Sequence, residues 1–110
     1  MKLYVSNNTS KEDISDKLDK FIICDNVVGA DSVLILPGGL GNFNDLFYAI
    51  NLKKKVIIYN KDLYYSSLLK NLYEGYEKGY IEFAPSEYVS IESELDNVIK
   101  KLEEKNIWKN

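Results

Sequence analysis

The sequence predicts an α/β fold: a small parallel sheet of about four strands with helices on both faces. Three observations carry this reading. Short runs rich in β-branched and aromatic residues alternate along the chain with segments whose apolar residues recur at helical spacing. One run, Val33, Leu34, Ile35 and Leu36, is apolar without interruption, as a strand covered on both faces requires. The resulting order βαβαβαβα needs crossover helices, and these cover both faces of a sheet with right-handed connections.

Each element has its own signal. Lys2, Leu3, Tyr4, Val5 and Ser6 read as a first strand, with a turn at Asn7, Asn8 and Thr9. Ser10 and Asp13 resemble an N-cap and an acidic first turn, so a helix from about Lys11 would place Ile14, Leu18, Phe21 and Ile22 on one face. Residues 23–31, with Cys24, Asp25 and Asn26, fit either a short helix or a loop. The second strand is 33–36. Phe43, Leu46, Phe47 and Ile50 then recur at helical spacing over 43–53, and Lys53 and Lys54 suit a helix C-terminus. Val56, Ile57, Ile58 and Tyr59 form a third strand, followed by a turn at Asn60, Lys61 and Asp62. Leu68, Leu69, Leu72, Tyr73 and Tyr76 mark a helix closed by Gly79. Ile81 to Pro85 connect to a last strand, Tyr88 to Ile91. The final helix has Leu95, Val98, Ile99 and Leu102 on one face, acids early and lysines late, in the order the helix dipole favours.

Composition bounds the chemistry. At 110 residues, 45% hydrophobic and 28% charged, the chain reads as one soluble globular domain over 1–110. No apolar run approaches ~18 residues, so no membrane span is expected. The net charge of −3 argues against a nucleic-acid partner. The single cysteine, Cys24, fits a reducing compartment, and a cytoplasmic location is expected. Cys24 reads as a small buried hydrophobe and not a nucleophile, since no histidine is present to activate it. No metal site and no cofactor are expected. All 14 basic residues are lysines, so bidentate guanidinium recognition is unavailable, and an anion must be held by backbone N–H groups, hydroxyls and lysines.

The segment that speaks to chemistry is Pro37, Gly38, Gly39, Leu40, Gly41 and Asn42, between a strand and a helix, with Asp45 just beyond. Glycines there allow positive φ and close approach of backbone to ligand, and the helix start offers unpaired N–H groups and its positive dipole end. The spacing fits neither a P-loop nor the dinucleotide fingerprint, but ligands in open α/β sheets bind beyond the carboxyl ends of the strands, where this loop lies. A tight turn needing glycine for packing alone is the plain alternative. Asn42 is either the N-cap of the helix or a ligand contact. Asp45 is either a first-turn acid favourable to the helix dipole or a group facing the ligand. Ser6, Asn7 and Asn8 end the first strand on the same sheet edge, where they meet a ligand or simply turn the chain; Asn60 and Asp62 carry the same ambiguity. Of nine tyrosines, Tyr73 and Tyr76 fit a core stripe, while Tyr48, Tyr64 and Tyr65 suit base stacking or a subunit contact. Lys53, Lys54 and Lys55 read as a solvated helix end.

Residues 36–45, Leu-Pro-Gly-Gly-Leu-Gly-Asn-Phe-Asn-Asp, resemble the Pro-Gly-Gly-x-Gly-Thr-x-x-Glu signature of the Lonely Guy family, part of a wider group formerly described as lysine decarboxylases. The approach to the loop (29–36), the strand after the helix (54–59), Leu63-Tyr64-Tyr65 and residues 77–81 are similar to the family's segments in order and spacing, over roughly residues 29–105. The resemblance implies a Rossmann-like fold and either hydrolysis of nucleoside 5′-monophosphates to free base or binding of nucleotide-derived signals. It implies ligand contacts from Pro37 to Asn42, a catalytic or ribose-facing role for Asp45, and a homodimer or higher oligomer. The chain departs from the pattern: Asn42 replaces the threonine, Asp45 is one methylene shorter than the glutamate, the catalytic arginine is absent, and the family's first glycine-rich turn has no counterpart. These losses favour binding of AMP, an ADP-ribose or a cyclic ADP-ribose, as sensor or sequestering protein, over a reduced phosphoribohydrolase or a ligand-free oligomeric module.

Overall fold

Strand pairing organises the chain. The structure is a computed structural model that describes residues 2–6 and 14–104. Among them five parallel strands form one sheet in the order β2-β1-β3-β4-β5: β1 (Lys2–Val5), β2 (Ile22–Ile23), β3 (Ser32–Ile35), β4 (Lys55–Tyr59) and β5 (Val89–Glu92). Among the described residues three α-helices cover them: α1 (Leu40–Asn51) and α2 (Ser66–Glu77) lie in connections between strands, and α3 (Leu95–Glu103) follows β5. The fold is Rossmann-like α/β, with one strand more than the sequence suggests.

The sheet's two faces follow from the alternation of side chains along a strand. Val33 and Ile35 of β3 and Val56 and Ile58 of β4 pack beneath α1 and α2, against Leu46, Ala49, Ile50, Tyr65 and Leu69. Leu34, Ile57 and Tyr59 point the other way, onto Val98 and Leu102 of α3 and onto Leu3, Ile14 and Leu18. Because β3 and β4 are covered on both sides, every residue of β3 is buried.

Three expectations need correction. The helix from Lys11 is replaced, within the described residues, by one 3₁₀ turn at Ser15–Leu18 and then by β2; residues 11–13 lie outside the described residues. Phe21, Ile22 and Ile23 are aromatic and β-branched, a composition that favours an extended edge, and Ile22 pairs with Lys2 instead of joining a helix face. The helix expected over 43–53 starts earlier, on the glycine loop, with Gly39 as its cap residue and Asn42 inside it. Tyr76 is exposed, so only Tyr73 of that pair packs on the core.

The helix ends are as the composition suggests. Gly79, at φ 83, closes α2, and the N–H groups of Tyr80 and Ile81 donate back to the Gly75 carbonyl. At the end of α1 the same left-handed position is held by Lys53 (φ 57), with Lys54 N–H donating to Ala49.

Candidate functional site

The glycine loop leaves β3 at its carboxyl end and is fixed by the side chains of Ser6, Asn42, Tyr64 and Tyr65. The Leu36 N–H donates to Ser6 Oγ at 2.8 Å. The Leu36 carbonyl accepts from Asn42 Nδ2 (2.8 Å) and from the Tyr65 hydroxyl (2.6 Å). The Gly38 carbonyl accepts from the Tyr64 hydroxyl at 2.6 Å. Asn42 Nδ2 also reaches Ser6 Oγ at 3.2 Å. Acceptors at the start of the loop are thus engaged by protein donors. The opposite is true of its next donors: among the described residues the N–H groups of Gly39, Leu40 and Gly41 meet no acceptor, and all three residues are exposed. They form the free start of α1, where amide hydrogens and the helix dipole together favour an anion.

The glycines themselves differ in what they do. None of the three takes the positive φ that the sequence suggests; among described glycines only Gly79 does. A Cβ on Gly38 would lie 2.9 Å or less from three side-chain atoms of Asn42, so this glycine makes room for the buried amide. A Cβ on Gly39 or Gly41 would meet nothing within 4 Å. Neither conformation nor internal packing demands a glycine there. What their lack of side chain provides is open space over the free amides.

Asn42 is not the N-cap. It is buried, inside the first turn of α1, and its amide ties that turn back to Leu36 and Ser6. Ser6 is buried too, with its hydroxyl engaged by Leu36 and Asn42 and its N–H donating to the Leu34 carbonyl. Pro37 and Gly38 are half-buried. Asn7, with Asn8, lies outside the described residues. Asn60 is buried and organises the turn after β4: its Oδ1 accepts from the Tyr65 N–H (2.6 Å) and its Nδ2 donates to Ser66 Oγ (3.1 Å).

Asp45 is not in the first turn of α1, which holds no acid, so stabilisation of the dipole there does not account for it. It is half-buried, and its Oδ2 accepts from the Tyr4 hydroxyl of β1 at 2.8 Å. Burial first, then the hydrogen bond and negative charge of Asp45, push the Tyr4 phenol up to about 12. Burial likewise pushes Tyr65 up to about 12, aided by neighbouring Tyr64 and opposed by hydrogen bonds from Asn42 and Gly38. Tyrosines in an unfolded chain titrate near ~10, so the stability these two phenols lend is fully present below about pH 10. It is lost as pH rises through about 12, because the unfolded chain releases its protons first. An alkaline absorbance titration at the phenolate band should therefore show Tyr4 and Tyr65 titrating late in the native protein. Tyr4→Phe should remove one of them, and Asp45→Asn should lower the other-than-Tyr65 transition while leaving it above the free value, since burial is the larger cause.

The Tyr4–Asp45 pair has no local signal in the sequence, because its partners are separated by 41 positions. The bracing by Tyr64 and Tyr65 is hinted at only by two tyrosines placed just after a strand on the ligand edge. Elsewhere, Phe47, Tyr48 and Asn51 of α1 and residues 80–83 line an open groove of about 540 Å³ that contains no residue of the glycine loop. Among the described residues no group of three histidine, cysteine, aspartate or glutamate side chains could hold a metal ion, and no helix is long and apolar enough to cross a membrane.

Residues 12–102 match the model of a protein family described as "Possible lysine decarboxylase". No curated protein matches the chain.

Proposed function

The chain belongs to the possible lysine decarboxylase family, the Lonely Guy-like group, and from that premise we propose that it binds a nucleotide or nucleotide-derived metabolite at the glycine loop. The ligands that fit are of the AMP, ADP-ribose or cyclic ADP-ribose type. One observation carries the reading: the exposed N–H groups of Gly39, Leu40 and Gly41 have no acceptor among the described residues, while the carbonyls of Leu36 and Gly38 are held by side chains. A loop so braced offers donors to a phosphate at low reorganisation cost, and no arginine is needed. In this reading the protein acts as a cytoplasmic sensor or sequestering protein, and Asp45 faces the ribose.

A second reading, a reduced phosphoribohydrolase, is favoured by the Tyr4–Asp45 hydrogen bond. Held by that hydroxyl, the Asp45 carboxylate is positioned to stabilise positive charge on a ribose as the C–N bond breaks and water gives its hydroxyl to the anomeric carbon and its proton to the departing base. Assembly belongs to the same proposal. Phe47, Tyr48 and Tyr80 are exposed beside the open groove, a surface suited to a second copy in a homodimer or higher homo-oligomer.

Native mass spectrometry of the purified protein with AMP, ADP-ribose and cyclic ADP-ribose tests these readings together. One intact nucleotide retained per chain, released unchanged on denaturation, is the expected result. Free base and ribose phosphate accumulating with time, and abolished by Asp45→Asn, would replace binding with turnover. No adduct with any of the three would leave the oligomeric module without ligand, and the charge-state envelope reports the oligomer directly.

A further inference from the structure

Beyond the phosphate, and resting on the reading that the glycine loop binds one, we propose that Tyr64 is the surface on which the ligand's planar base stacks. Tyr64 is half exposed, yet its ring is held on three sides. Its hydroxyl donates to the Gly38 carbonyl at 2.6 Å. Phe43 of α1 lies nearly parallel to it, with centroids 6.3 Å apart and planes at 23°. Tyr65 meets it edge-on at 4.9 Å. Tyr48, Tyr76 and Tyr80 are comparably or more exposed, but among the described residues no ring contact fixes them.

An exposed aromatic ring held in one orientation loses little freedom when a second flat ring covers it. Its position follows from the hydroxyl bond, which puts the ring beside the carbonyl that immediately precedes the free amides of Gly39, Leu40 and Gly41. A ligand with an anion on those amides and an aromatic base one sugar away therefore meets Tyr64. The turn that presents the ring is unusual: Asp62 and Leu63 both take left-handed backbone angles (φ 53 and φ 60), a region that a leucine rarely occupies. Asn60 holds the turn in that shape, accepting from the Tyr65 N–H and donating to Ser66 Oγ. Stacking is tolerant of base identity because every base has a π-face, so Tyr64 would select a nucleotide over a sugar phosphate without choosing among bases.

The test compares AMP with ribose 5-phosphate by isothermal titration calorimetry on the full chain and on Tyr64→Ser and Tyr64→Phe, with Tyr64 ring protons followed by NMR. AMP should bind the unaltered protein about tenfold or more tighter than ribose 5-phosphate. Tyr64→Ser should bring AMP down to the level at which the same variant binds ribose 5-phosphate, and Tyr64→Phe, which loses the bond to Gly38 but keeps the ring, should keep the preference. The ring protons should move upfield with AMP only. If AMP and ribose 5-phosphate bind the unaltered protein equally, the stacking role is overturned while phosphate binding stands. Tyr64→Ser weakening both ligands alike would also overturn it, pointing to bracing of Gly38 instead. Failure of both ligands to bind the unaltered protein would remove the phosphate reading and this inference with it.

Discussion

Gly38→Ala should lower the unfolding free energy by about 2–4 kcal/mol in a urea titration, the largest loss expected from any single change in the glycine loop. The new methyl group would sit 2.9 Å or less from Nδ2, Cγ and Oδ1 of Asn42. Elsewhere a side-chain tip could swing aside. Here the amide is buried and bonded to the Leu36 carbonyl and Ser6 Oγ, so moving it breaks hydrogen bonds as well as packing, each worth about 1 kcal/mol and more if a polar group is left unsatisfied. The mechanism has a check of its own. In an Asn42→Ala background, itself destabilised, the added cost of Gly38→Ala should largely disappear, because residues in contact are strongly non-additive. Costs that simply add would show that Gly38 is needed for another reason.

Gly39→Ala and Gly41→Ala should behave in the opposite way. Neither methyl group meets anything within 4 Å, and neither glycine takes a positive φ. Gly41 lies inside α1, where alanine is favoured over glycine by up to about 1 kcal/mol. The double variant is therefore expected to be as stable as the unaltered protein or slightly more so. Its affinity for AMP should nevertheless fall tenfold or more, equivalent to about 1.4 kcal/mol, because the added methyl groups fill the space above the free amides. Isothermal titration calorimetry alongside the urea titration separates the two effects. A double variant that is stable and still binds AMP normally would mean that these glycines do not mark a ligand cradle.

The contrast between Gly38 and its neighbours shows what the sequence conveys and what it does not. A Gly-Gly-x-Gly run after an apolar strand is legible, as is its place at the carboxyl end of the sheet. Which glycine serves packing and which leaves space is not, because that depends on Asn42 turning inward. A side chain that reaches back six positions to Leu36 and across to Ser6 mimics an N-cap in sequence, where polarity before an apolar stripe is all that is visible. The central strands and α1, α2 and α3 were legible because their apolar residues repeat with a clear period. β2 was not. It has two residues, both exposed, and it lies downstream of Ile14 and Leu18, whose burial fits a helical face equally well. Asp45 illustrates the remaining limit: its place in the chain was plain, but its partner Tyr4 belongs to a strand that only the folded sheet brings near.

The central claim is that the free amides at the start of α1 hold a phosphate, and a ¹⁵N-edited NMR titration reads those amides one by one. On adding AMP, the N–H resonances of Gly39, Leu40 and Gly41 should shift together and saturate, and inorganic phosphate should move the same three at higher concentration. If AMP saturates the protein while these three resonances stay in place and others move, the nucleotide binds elsewhere and the glycine loop is not its site.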